Sequence, residues 1–270
     1  NESSEVAGAR IQLACTLQTL GQHDEALENL NGAYETYLRL HGPDCVDEGA
    51  ATALSNMSAI NLDLGRIDAA VSQAEKALDI RRRLSGPVNH QMAVQLQNIA
   101  KMYFQQGMLE EAQAQFEEAL GIIRQVHPER NSSEGMILHG IGCIYRDQGK
   151  LDEAMTMMKK GHQILRKTLG PESRESGHVL NDLGTLLARM GKYEEALEKL
   201  EQTLKIRRAA NGEQSDKVVQ TLFNMAKCLE LMGDTAGSQE RLREAYGICV
   251  ANGSSESDTA QQIAACIAAV

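Results

Sequence analysis

The sequence predicts an all-α protein, a solenoid of stacked antiparallel helix pairs, and three observations predict it. First, a short phrase recurs: GQHDEAL at 21–27, GRIDAAV at 65–71, GMLEEAQ at 107–113, GKLDEAM at 149–155 and GKYEEAL at 191–197. Its glycines Gly65, Gly107, Gly149, Gly191 and Gly233 stand 42 residues apart, and Gly21 stands 44 before Gly65. A fixed period of that size marks an array of units that stack on their neighbours. Second, small and large apolar residues recur around each glycine at offsets of three, four and seven, the spacing of a helix face. Third, no period-2 run survives beside those columns, which excludes a sheet.

Each element of a repeat has its own warrant. With the glycine as position zero, the first helix carries a small residue at −7: Ala14, Ser58, Ala100, Gly142, Gly184 and Ala226. Immediately before it stands a large apolar one: Leu13, Met57, Ile99, Ile141, Leu183 and Met225. The glycine supplies the positive φ of a tight helix–helix turn. An acidic pair follows in most repeats (Asp24-Glu25, Glu110-Glu111, Asp152-Glu153, Glu194-Glu195), where negative charge matches the dipole of a starting helix. The second helix places Ala26, Ala70, Ala112, Ala154, Ala196 and Ser238 at +5, and Ala33, Ala77, Ala119, Gly161, Thr203 and Ala245 at +12. Isoleucines 80, 122, 164, 206 and 248 stand at +15. Small columns let two helices approach closely, so the recurring phrase is architectural. Between repeats, HGPDCVDE (41–48), SGPVNH (85–90) and LGPESRES (169–176) use Gly-Pro to stop one helix and Asp, Asn or Ser to cap the next. The repeats run at about 6–47, 48–91, 92–133, 134–175, 176–217 and 218–258, with a partial seventh at 259–270, read as one domain over 1–270. The last helix carries Ile263, Ile267 and Val270 on a face expected to need cover.

Composition sets the outer bounds. Apolar residues are 42% and aromatics 3%, with no Trp, so the core is built of Leu, Ile, Met and Ala. The six cysteines form no CxxC pair and no framework spacing, which points to free thiols in a reducing compartment, cytosol or organelle interior. A net charge of −10 argues against nucleic acid as partner. No apolar run approaches the roughly 20 residues of a membrane span. The chain opens on Asn1 rather than Met, so a segment of a longer product is expected.

The small residues at −7, +5 and +12 resemble the tetratricopeptide repeat. The 42-residue period, the LGPES-type loops and the stretch LNDLGTLLARMGKYEEALEKLEQTLKIRR (180–208) resemble its kinesin light chain-like subtype. The resemblance covers residues 6–252 as six repeats. It implies a right-handed superhelix whose first helices line a concave, peptide-binding groove. It does not extend to the heptad coiled coil of kinesin light chains, which nothing here matches.

That resemblance also implies which residues face the groove. Asn56, Asn98 and Asn224 occupy −9, with Asn181 beside that column, where Gly140 and Asp182 interrupt the row. An amide offers a donor and an acceptor to an extended backbone, although it could equally bond a neighbouring helix. Lys101, Arg146, Arg189, Lys227, His139 and His178 share the surface and suit an acidic ligand, against Asp63, Asp147 and Glu230 nearby. Cys15 and Cys143 fall at −6 and are read as packing residues. No catalytic constellation emerges. Gly184…Gly191-Lys192 has the wrong spacing and a Tyr where a phosphate loop needs Ser or Thr. Glu175 and His178 lack an evident third metal ligand. The expectation is a non-catalytic scaffold without cofactor or metal. It would receive a peptide or partner helix and form part of a larger complex. The alternatives are a structural subunit of a large assembly or the sensor part of a multidomain protein.

Overall fold

The computed structural model describes residues 3–127, 129 and 131–268, and their regular structure is helical throughout. The helices are α1 (Ser4–Thr19), α2 (His23–His41), α3 (Glu48–Asp63), α4 (Ile67–Ser85), α5 (His90–Gln105), α6 (Leu109–Val126), α7 (Ser132–Asp147), α8 (Leu151–Thr168), α9 (Arg174–Arg189), α10 (Tyr193–Asn211), α11 (Asp216–Leu231), α12 (Thr235–Ala251) and α13 (Asp258–Ala268). They fall into two compact units, Asn1–Glu129 with α1 to α6 and Arg130–Val270 with α7 to α13. Within each unit consecutive helices pack on one another, and the pairs joined by a recurring glycine pack most extensively.

The two helices of a pair start by different means. Ser3, Asp47, Asn89, Asn131 and Ser173 each accept a backbone N–H at the head of α1, α3, α5, α7 and α9. No side chain caps α2, α4, α6, α8 or α10, and each of these has acidic residues in its first turn instead. Helix α12 inverts the rule: its first turn has no acid, and Asp234 accepts from the Gly237 N–H at 2.9 Å. A side-chain cap is worth about 1 kcal/mol and a matched charge about 0.3–1 kcal/mol, so the two devices are comparable.

Every pair turns through the same two hydrogen bonds. In the fourth repeat Gly149 has φ 79°, its N–H donates to the Arg146 carbonyl at 3.1 Å, and the Lys150 N–H donates to the Tyr145 carbonyl at 2.8 Å. The same pattern closes α1, α3, α5, α9 and α11. This is the Schellman arrangement, in which a left-handed residue satisfies the last carbonyls of a helix.

The small columns meet across each pair. Ser58 Oγ donates to the Ala70 carbonyl at 2.7 Å, joining −7 to +5 directly. A Cβ built on Gly184 would lie 3.3 Å from the Ala196 carbonyl, and one on Gly142 3.2 Å from the Ala154 carbonyl. The alanines at +5 are wholly buried. Met57, Ile99, Ile141, Leu183 and Met225 are buried at −8, each worth about 1.5–3 kcal/mol relative to exposure. Leu13 departs from its column at 49% exposed, because none of the described helices packs on that side of α1. At the other end α13 packs on α12 and buries Ile263 completely, so that residue is not the open face expected. Ile267 is half-buried, and Val270 lies outside the described residues. Four cysteines (Cys45, Cys143, Cys228, Cys249) are buried, but Cys15 is exposed rather than packed.

Helices α7 and α8 approach most intimately. A Cβ on Gly161 would stand 2.6 Å from the Gly135 carbonyl oxygen, a backbone atom that cannot swing aside. Gly161→Ala should therefore destabilise unit two by about 1–3 kcal/mol, the range for overpacking. Gly121→Ala, in α6 with nothing within 4 Å of its would-be Cβ, should instead stabilise by about 0.5–1 kcal/mol through helix propensity. Urea melts of both variants check the pair; a stabilised Gly161→Ala would mean that α7 and α8 are further apart. Ala196→Leu should also cost about 1–3 kcal/mol, and an unchanged unfolding midpoint would place that column off the helix contact.

Candidate functional site

Within each unit the first helices of successive repeats touch: α1 with α3 in unit one, and α7 with α9 and α9 with α11 in unit two. The residues singled out from the sequence lie on these helices and on α5, because each occupies the same few positions before a repeat's glycine.

In unit one, α3, α4 and α5 enclose a hollow of about 470 Å³. Leu62, Ala74 and Met102 supply apolar lining, and Gln95, Asn98 and Lys101 supply polar groups. Gln95 Oε1 is buried without a hydrogen bond among the described residues. The Asn98 side chain is exposed, and among the described residues neither its amide nor the Lys101 ammonium has a polar partner. Lys101 is exposed as a residue, but the protein atoms around its ammonium displace water and lower its pKa from the usual value. Arg81, on the rim, is committed: Nε donates to Glu48 Oε1 and Nη1 to Ser55 Oγ, both at 2.8 Å. Asn56 does not join this hollow; its Nδ2 donates to Cys15 Sγ at 3.4 Å, a bond between neighbouring first helices.

In unit two a hollow of about 540 Å³ lies along α11, lined by Lys217, Gln220, Phe223, Asn224 and Lys227 together with Asp216. Lys227 Nζ sits 4.1 Å from the centroid of the Phe223 ring, a cation–π contact that holds the ammonium over the cavity wall. A smaller hollow of about 210 Å³ brings Arg189 beside Asn224 and Lys227. Asn181 is buried, its Nδ2 donating to Asp182 Oδ1 at 3.1 Å and its Oδ1 accepting from Asn224 Nδ2 at 3.4 Å. Arg146 grips its neighbour Asp147 through Nε at 2.7 Å and Nη2 at 3.2 Å, and Arg189 lies 3.8 Å from the same carboxylate. His178 is half-buried, and burial, Lys217 and Arg207 together lower its pKa.

One grouping joins residues that the sequence presents separately. His139 Nε2 lies 2.7 Å from Asp182 Oδ2 and 3.5 Å from Cys143 Sγ, and Sγ lies 3.7 Å from the same carboxylate oxygen. Burial disfavours an imidazolium here, but Cys143 and the Asp182 carboxylate outweigh it and raise the His139 pKa. Burial likewise opposes the Asp182 carboxylate, while the His139 hydrogen bond and charge, Asn181 and Arg146 hold its pKa below the usual value. Both partners converge on one ring nitrogen. A nucleophile relay needs them on opposite nitrogens, so the grouping is not a catalytic triad.

The structure thus keeps Asn98 and Lys101 together in one unit, and Asn224, Lys227 and Arg189 together in the other. It commits Asn56, Asn181 and Arg146 to neighbouring side chains. Sequence reading missed Gln95, and it missed Phe223 although that residue shares the column of His139 and Asn181, ten before the glycine. It also missed the convergence of His139 with Asp182, whose only trace is a spacing of 43 residues, one period and one.

A tetratricopeptide repeat family model matches residues 5–83, 49–125, 90–167, 133–209 and 175–249, overlapping windows that span two repeats each. No curated protein matches the sequence significantly. Among solved structures, BtubC (BKLC) from P. vanneervenii is similar with a TM-score of 0.71 at 20% identity, covering 86% of this chain and 92% of that one. The nearly identical TPR-like repeats of a putative kinesin light chain from Podospora anserina, as a point variant, have a TM-score of 0.61 at 19% identity, covering 74% of this chain and 95% of that one. The Cut9–Hcn1 hetero-tetramer of the APC/C is similar with a TM-score of 0.66 at 13% identity, covering 96% of this chain and 42% of that one. At these identities the likenesses show the fold, and kinesin light chain-like repeat proteins are among its bearers. The family match spans most of the chain: this protein belongs to the tetratricopeptide repeat family, whose repeats generally serve as protein-interaction modules.

Proposed function

We propose that the chain is a non-catalytic scaffold that receives an extended, carboxylate-bearing peptide on its first-helix faces. One observation carries the reading: the unit-one hollow sets an unpartnered buried Gln95 Oε1, an unengaged Asn98 amide and an unpaired Lys101 against an apolar wall. A protein leaves few buried polar groups without partners, and an incoming backbone would supply the donor that Gln95 lacks. Asn98 suits a peptide group as donor and acceptor, and Lys101 suits a carboxylate. Lys217 and Lys227 make the unit-two hollow basic as well, although its lining is more polar and includes Asp216. The net charge of −10 continues to speak against nucleic acid.

A second reading, a subunit of a large assembly, draws support from the likeness to a chain of the Cut9–Hcn1 hetero-tetramer of the APC/C. The two readings part over which surface matters. The test is an array of acidic and neutral decapeptides probed with the full chain and with Asn98→Ala/Lys101→Ala. Two lost hydrogen bonds at about 0.5–1.5 kcal/mol each should weaken the best acidic peptides by about fivefold to a hundredfold, with unchanged melting curves. The Lys101 share should shrink at high salt, where exposed charges are screened. Equal affinity from an intact double variant would move binding off the first-helix face and favour the assembly reading.

A further inference from the structure

We infer that His139, Cys143 and Asp182 form a binding site for a single zinc ion, held between two adjacent repeats of unit two. The ligand atoms His139 Nε2, Cys143 Sγ and an Asp182 carboxylate oxygen all lie within 4.8 Å of one another. Neutral imidazole, thiolate and carboxylate together are the donor set of zinc, with bonds of about 2.0–2.1, 2.3 and 2.0–2.2 Å. Tetrahedral bonds of those lengths put nitrogen and sulfur about 3.6 Å apart, sulfur and oxygen about 3.6 Å, and nitrogen and oxygen about 3.4 Å. The structure has 3.5, 3.7 and 2.7 Å. Two of the three separations already match. The third is a hydrogen-bond distance, and opening the His139–Asp182 contact by about 0.7 Å admits the ion.

The surroundings support the same assignment. His139 and Cys143 are four residues apart on α7, so one helix face presents both, and Asp182 comes from the facing position of α9. Asp182 is oriented from behind: Asn181 Nδ2 donates to Oδ1, Asn224 Nδ2 donates to Asn181, and Oδ2 is left to face the nitrogen and sulfur. Outer partners of this kind fix the ligating oxygen in metal sites. The nearest strong cation, Arg146, is gripped by Asp147, which offsets its repulsion of an incoming ion. Cys143 is buried and the other two are half-buried, so the site is shielded yet reachable. Three protein ligands leave a fourth position for water or a group from a bound partner. On binding, zinc takes the lone pairs of Nε2, Sγ and Oδ2, and the displaced thiol and imidazole protons pass to the buffer. The inference stands independently of peptide binding.

The test uses the reduced, metal-free full chain. Zinc titrated in competition with a chromophoric chelator should show one equivalent bound, and cobalt should give the thiolate charge-transfer absorption and intense visible bands of tetrahedral ligation. Cys143→Ser and Asp182→Asn should each weaken binding at least tenfold, and Asn181→Ala by about tenfold through lost orientation of Asp182. Cys15→Ser, which removes the exposed thiol, should leave it unchanged. No bound equivalent, a site that survives Cys143→Ser, or one abolished by Cys15→Ser would overturn the assignment. If a ligand variant fails to fold, the wild-type cobalt spectrum decides: absence of the thiolate band overturns it equally.

Discussion

Everything in this molecule depends on how closely the two helices of a pair can approach. The small residues before each glycine and the alanines after it remove the side-chain volume that would otherwise hold the backbones apart, as the Ser58–Ala70 bond and the crowding at Gly184 display. With that contact made, the large residues at −8 other than Leu13 are buried, and Ile206 at +15 lies against Gly177 of its own pair. The loops and caps tune the ends of helices. The close contact decides that there are pairs at all, and within each unit successive pairs then pack on one another.

The same contact explains which parts of the fold were legible in the sequence. Periodicity exposes any property that every repeat must share, and so the helices, turns and small columns could be read directly. It says nothing about what differs between repeats. Leu13 occupies a core column yet is half exposed, since burial there comes from a preceding pair and not from the residue's own repeat. Ile263 erred in the other direction, being covered by α12 more fully than a lone helix suggested. Gly161 looks like another small residue in its column, and only the 2.6 Å approach to the Gly135 carbonyl separates it from the alanines elsewhere.

The candidate sites divide along the same line. The position of each asparagine follows from the period, but whether its amide is engaged depends on a neighbour one repeat away. Asn98 keeps its amide unengaged, while Asn181 gives both ends to Asp182 and Asn224. The charged residues behave alike: Lys101 has no ion-pair partner among the described residues, and Arg146 is held by the carboxylate next to it in sequence. A face drawn from sequence as one row of equivalent contacts is, in the molecule, a mixture of open positions and internal bonds. In unit two those bonds orient a cluster of different chemistry.

That cluster belongs to no single repeat. His139 and Cys143 sit on one pair and Asp182 on the next, so their meeting is a property of the seam. Because each repeat contacts only its neighbours, removing or adding one whole period would let the remaining helices restack with the columns in register. A unit inserted at this seam would leave both pairs folded and abolish the cluster; a seam created elsewhere could bring together ligands that had never been neighbours. The array therefore inherits its architecture repeat by repeat, and its chemistry junction by junction.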